Sequence, residues 1–132
     1  MGESNADQVE PRWFIDLDWY QQNNRSFLIL AQARLCPSCS EKLKGTAVTE
    51  AEVLSAIKSC CAQTPGFITP HSTLLESIFR LFLANGNQPL TLAKLGERLR
   101  DYRQGDTRSS SMQLLSRLLE SDRYYGFGRL KD

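Results

Sequence analysis

The residues best suited to chemistry in this 132-residue chain are its four cysteines, Cys36, Cys39, Cys60 and Cys61. Cys36-Pro37-Ser38-Cys39 is a C-x-x-C turn, which brings two sulfurs within reach of one metal ion, and Cys60-Cys61 follows after 20 residues. Two cysteine pairs roughly 15–20 residues apart are a common structural zinc spacing. The second pair departs from that pattern because its members are adjacent. Neighbouring residues on a helix point about 100° apart, so both can ligate one ion only where the helix unravels. Thr64-Pro65-Gly66 just downstream supplies a break that would allow it. Where the helix persists, one of the two would pair with His71, the single histidine, as the fourth ligand. Zinc held this way would be a structural staple for a small module. Three other readings stand beside it. Cys60 and Cys61 prolong the Val53/Ile57 face and could be buried small hydrophobes. Four thiolates also suit an iron–sulfur cluster, which would make the chain a redox sensor. A redox dithiol is disfavoured, because such a C-x-x-C opens a helix and this one follows a helix.

Other chemistry finds little support. The chain has no G-x-S-x-G, no Gly-rich phosphate loop and no H-E-x-x-H, so a non-enzymatic protein is expected. Asp16 and Asp18 form an acid pair at spacing two, which more often lies on a solvated face or caps a helix than works in catalysis. Hydrophobic residues at 41% and charged residues at 23% are those of an ordinary globular domain. Net charge is +1, but residues 1–70 hold six Lys/Arg against eight Asp/Glu, and residues 71–132 hold ten against seven. The chain therefore leans basic toward its C-terminus. No apolar run approaches the ~20 residues of a membrane span, and the acidic N-terminal segment lacks signal-peptide character, so a cytoplasmic protein without membrane contact is expected.

The elements that must position the cysteines are legible as apolar stripes between polar caps. Residues 1–11 read as a flexible tail ending at Pro11. Trp13 to Trp19 alternates like a short strand, with Asp16 or Asp18 able to cap the next helix. Ser26 to Leu35 reads as a helix stopped by Cys36-Pro37. Thr49-Glu50-Ala51-Glu52 is a capping box opening a helix from about 50 to 61. Leu74 to Leu83 is strongly apolar, Asn85-Gly86-Asn87 ends that helix, and Thr91 caps the next, with Leu92, Leu95 and Leu99 inward. Ser109 to Ser111 offer caps for a last helix carrying Leu114, Leu115, Leu118 and Leu119, and Arg123 to Leu130 suits a strand or small hairpin.

The order helix, extended link, helix, turn, helix, aromatic-glycine strand over residues 71–132 resembles the winged helix-turn-helix superfamily, with Gln88-Pro89-Leu90-Thr91-Leu92-Ala93-Lys94-Leu95-Gly96 as its strand-to-second-helix segment. The whole chain also resembles short uncharacterised bacterial proteins that join an L-C-P-x-C motif, here Leu35 to Cys39, to such an end. The expected architecture is mainly α: a helical module over 12–70 with the cysteine cluster, then a winged helix over 71–132. The resemblance implies that Thr107 to Arg117 is a reading helix and Arg123 to Lys131 a wing. Arg108, Ser109, Ser110, Gln113, Arg117, Arg123, Arg129 and Lys131 would then meet duplex DNA, the cations on phosphates. That makes a transcriptional regulator or accessory factor, with homodimerisation through the metal module as one arrangement. The weak charge and the Ser-rich start of the reading helix point instead to a winged helix that docks on a protein partner.

Overall fold

Short polar side chains decide where the helices begin. Asp16, Ser26, Thr49, Thr73, Thr91 and Ser111 each accept a hydrogen bond from an amide in the following first turn, satisfying a donor that the helix itself leaves orphaned. The computed structural model describes residues 10–45 and 47–130, with Ser109 and Ser110 by backbone alone. Among these it has α1 (Leu17–Gln22), α2 (Phe27–Gln32), α3 (Pro37–Leu43), α4 (Glu50–Ser59), α5 (Leu74–Ala84), α6 (Leu92–Tyr102) and α7 (Met112–Ser121). Three strands accompany them, β1 (Arg12–Ile15), β2 (Leu90–Thr91) and β3 (Phe127–Leu130), and 3-10 turns cover Cys61–Gln63 and Thr107–Ser110. The fold is mainly helical with a small sheet.

The strand order is β2-β1-β3, antiparallel throughout. Trp13 lies opposite Leu90 on one side and Arg129 on the other, so the N-terminal strand is sandwiched between two strands of the C-terminal half. Of the strand or small hairpin expected at 123–130, the strand is what forms, β3 paired to β1, and the reason lies in Asp122. Its buried carboxylate accepts from the amides of Tyr124, Tyr125, Gly126 and Phe127, which turns the chain directly from α7 into β3. Gly126 completes that turn with φ +75°, and a Cβ there would stand 2.6 Å from the Trp19 ring and 2.7 Å from the Tyr20 ring. Asn87, at φ +61°, ties β1 to the end of α5 by accepting from the Ile15 amide and donating to its carbonyl.

One hydrophobic cluster contains Ile15, Phe27, Val53 and Ile57 together with Phe79, Phe82, Leu99 and Leu115. Residues on both sides of position 70 thus share a core, and among the described residues no second core marks a boundary there. Three element limits also shift. Helix α2 ends at Gln32, and Cys36 caps the short helix α3, whose Pro37 has its φ preset for a first turn. Helix α4 ends at Ser59, with Cys60 at φ −131° and ψ −63° leaving the helical path. Ser109 and Ser110 fall in the 3-10 turn that precedes α7.

Candidate functional site

The four cysteines arrive from two chain segments. Cys36 and Cys39 sit on the first turn of α3, and Cys60 and Cys61 where α4 breaks into its 3-10 turn. That break resolves the difficulty of adjacent ligands, because Cys60 no longer follows the helical 100° step. The Cys36 and Cys60 sulfurs are 3.8 Å apart, those of Cys36 and Cys61 3.0 Å, and the sulfurs of Cys36, Cys39 and Cys61 lie within 4.8 Å of one another. All four are free thiols. Four thiolates about 2.3 Å from one tetrahedral ion stand about 3.8 Å from each other; Cys36, Cys39 and Cys61 form a group close enough for one ion, and Cys60 adjoins it through Cys36 at 3.8 Å.

The electrostatics prepare the same outcome. The Cys36 amide donates to the Cys61 sulfur at 3.0 Å. The Cys36 thiol is pulled down to about 6, first by the hydrogen bond it accepts from the Cys61 thiol and then by the Cys39 amide. Burial pushes the Cys61 thiol up, and its hydrogen bond with Cys39 pushes the Cys60 thiol up. Protonated, the group can stabilise one thiolate shared among four sulfurs; a divalent cation is what would let all four ionise together.

Two sequence arguments need correction at this site. His71 is exposed, its amide bonded to Thr69 Oγ1, and it lines a cleft beside α7 outside the thiol group. The further sulfur beside this group belongs to Cys60, 3.8 Å from Cys36. The C-x-x-C also does open a helix, since Cys36 is the N-cap of α3, so its position after α2 is no argument against redox chemistry.

The residues expected to meet duplex DNA are dispersed. Gln113 and Arg117 are exposed one turn apart on α7. Arg108 bonds Asp106 at 3.0 and 3.1 Å, Arg123 donates to the Glu120 and Asp122 carbonyls, and Arg129 lies 5.5 Å over the Trp13 ring. Lys131 and the side chains of Ser109 and Ser110 lie outside the described residues. Arg117 and Arg123 border one hollow, of about 560 Å³, while Arg108 and His71 border the cleft of about 580 Å³ on the other side of Leu114 and Leu118.

Three polar residues that sequence reasoning passed over hold these surfaces in place. Glu76 receives both Arg34 and Arg80 and the Tyr125 hydroxyl, which holds its carboxyl near 2 against the opposing effect of burial. Arg103 is 1% exposed and donates to Asp106, the Thr69 and Ser72 carbonyls and Ser77 Oγ, fixing the 69–72 loop against the end of α6. Asp122 shapes the turn already described. Glu76 four residues before Arg80 was a visible ion-pair spacing, whereas the partners of Arg103 and Asp122 carry no signal in the sequence.

Compared with known proteins, the chain matches no family model, no curated protein and no solved structure. Among the described residues, no helix is long and apolar enough to cross a membrane.

Proposed function

We propose that this protein is a non-enzymatic binding module in which one zinc ion, held by Cys36, Cys39, Cys60 and Cys61, staples α3 to the end of α4, and in which α7 docks on a protein partner. The carrying observation is the convergence of Cys36, Cys39 and Cys61 from two segments at single-ion spacing, with Cys60 3.8 Å from Cys36. Zinc would supply a fixed cross-link without redox chemistry. An iron–sulfur cluster interposes several atoms between its cysteines and spreads them further than a single ion does, so the tight thiol group favours one ion. The chain's own residues do the rest: the Cys36 and Cys39 amides point hydrogen bonds at sulfur, and Val53 and Ile57 anchor α4 in the core beneath the site.

Cobalt(II) titration of the reduced, metal-free chain tests this centre. The expected result is one equivalent bound with the visible spectrum of a tetrahedral thiolate site, displaced by zinc. Each single Cys→Ser substitution should change that spectrum and His71→Ala should leave it intact. Saturation at two or more cobalt ions, or a spectrum indifferent to Cys60→Ser, overturns the assignment.

Protein docking is favoured because Arg108 is paired with Asp106, Arg129 lies over the Trp13 ring and residues 127–130 belong to the sheet. The duplex DNA reading retains one observation, the exposed Gln113 and Arg117 on adjacent turns of α7. Labelled duplex titrated at low and high salt separates the two. Salt-sensitive binding abolished by Arg117→Glu would establish the duplex reading. Binding that is absent, or indifferent to Arg117→Glu, agrees with docking.

A further inference from the structure

We infer that the Leu114–Leu118 face of α7 is the docking surface and that it takes an acidic amphipathic helix; the inference rests on the docking reading above. Leu114 and Leu118 are one helical turn apart, only half-buried, and line the hollows on both sides of α7. They form a ridge between two troughs, the larger of which is deepened by Leu75 and Tyr125. A ridge between troughs is what a second helix packs against, placing apolar side chains at i and i+3 or i+4 into the hollows.

Charge on the rim selects the partner. Arg117 and Arg123 stand exposed at one margin, while Arg108 at the other is already paired with Asp106. Of the acids nearby, Asp106 is engaged by both Arg103 and Arg108, which leaves Glu120 as the one carboxylate lining the second hollow. Two exposed guanidinium groups beside an apolar ridge are complementary to a helix whose leucine stripe is flanked by glutamates or aspartates, because guanidinium pairs with carboxylate in a planar fork. The apolar ridge has no counterpart on a phosphate backbone, which argues against nucleic acid on this face.

Two helical probe peptides of about 18 residues, five turns, sharing one leucine stripe and flanked by glutamates in one and lysines in the other, test the surface by fluorescence anisotropy on the zinc-loaded full chain. The glutamate peptide should bind at least about tenfold tighter than the lysine peptide, and salt should weaken it. Leu118→Glu should abolish binding. Because that change touches a half-buried residue, the doubly substituted Arg117→Glu/Arg123→Glu chain, altered only at exposed positions, provides the second arm and should reverse the order of the two peptides. Equal binding of both peptides, no binding of either, or an unreversed preference overturns the assignment. Self-association abolished by Leu118→Glu also overturns it, by making the ridge a contact between copies of this chain. If the peptides fail and duplex does not bind, this surface falls while the docking reading stands; if duplex binds and Arg117→Glu abolishes it, the docking reading falls as well.

Discussion

Glu76→Gln should remove a large share of the stability that joins α2, α5 and the 122–127 turn. Glu76 is 17% exposed and faces Arg34 at 2.8 Å and Arg80 at 2.7 Å, themselves 13% and 26% exposed, with the Tyr125 hydroxyl donating from a third side. Its carboxyl is held at about 2 against an ordinary 4.5. At about 1.4 kcal/mol per pH unit, that depression corresponds to about 3 kcal/mol in favour of the folded state. The sign follows from the direction: the folded carboxyl titrates below the unfolded one, so the contribution is complete above pH 4.5 and declines as pH falls toward 2. The glutamine keeps the shape and one acceptor but leaves two half-buried guanidinium groups without a counter-charge. Urea unfolding of both chains from pH 7 to pH 3 reads the effect. The wild type should be more stable by about 3 kcal/mol at pH 7, and the gap should narrow at the acid end. Thiol protonation at low pH acts on both chains and cancels in the difference. A gap below about 0.5 kcal/mol at pH 7, or one that does not change with pH, would refute the reasoning.

Gly126→Ala should lower stability by more than about 2 kcal/mol, since its Cβ must displace the Trp19 and Tyr20 rings in a backbone region that L residues avoid. Gly105→Ala, at φ +86° with nothing within 4 Å, is the control and should cost about 1 kcal/mol; equal losses in thermal unfolding would contradict the steric argument. Asp122→Ala strips the acceptor from a run of consecutive amides and should cost about 2–4 kcal/mol. Hydrogen exchange should accelerate at residues 124–126, and unchanged protection there would reject the turn-forming role. Arg103→Lys loses the planar fork that reaches Asp106, Ser72 and Ser77 together and should cost about 2 kcal/mol, visible as a lower Tm; a neutral result would mean that a point charge suffices.

Much of the helical layout was legible because helix caps are local signals. The Thr49/Glu52 capping box, the Thr91 cap and the Asn85-Gly86-Asn87 exit act within a few residues, and all stand where their spacing placed them. What escaped was set by distant parts of the chain. The pairing of β1 with both β2 and β3 joins residues about 80–120 positions apart, and the amide-gathering carboxylate of Asp122, which turns α7 into β3, looks from sequence like any acid at a helix end. Cys36-Pro37 was read as a stop alone, although proline suits the first turn of a helix as well as it ends the previous one. The cysteine spacing named residues that the fold does bring close together but left the fourth donor open, because His71 lies just as near in sequence. The helix break at Cys60, which brings its sulfur to 3.8 Å from Cys36, is set by the fold and not by that spacing.

The central claim is that four thiols of this chain hold one zinc ion that the fold depends on. Metal analysis by native mass spectrometry and elemental assay on freshly purified protein, with thiol-reactive reagent added stepwise, tests it most directly. The account predicts one zinc per chain, no visible absorption, release of the metal as all four cysteines react, and a lower Tm for the metal-free chain. A metal-free chain whose Tm is unmoved by added zinc, or a coloured chain carrying iron, would contradict it.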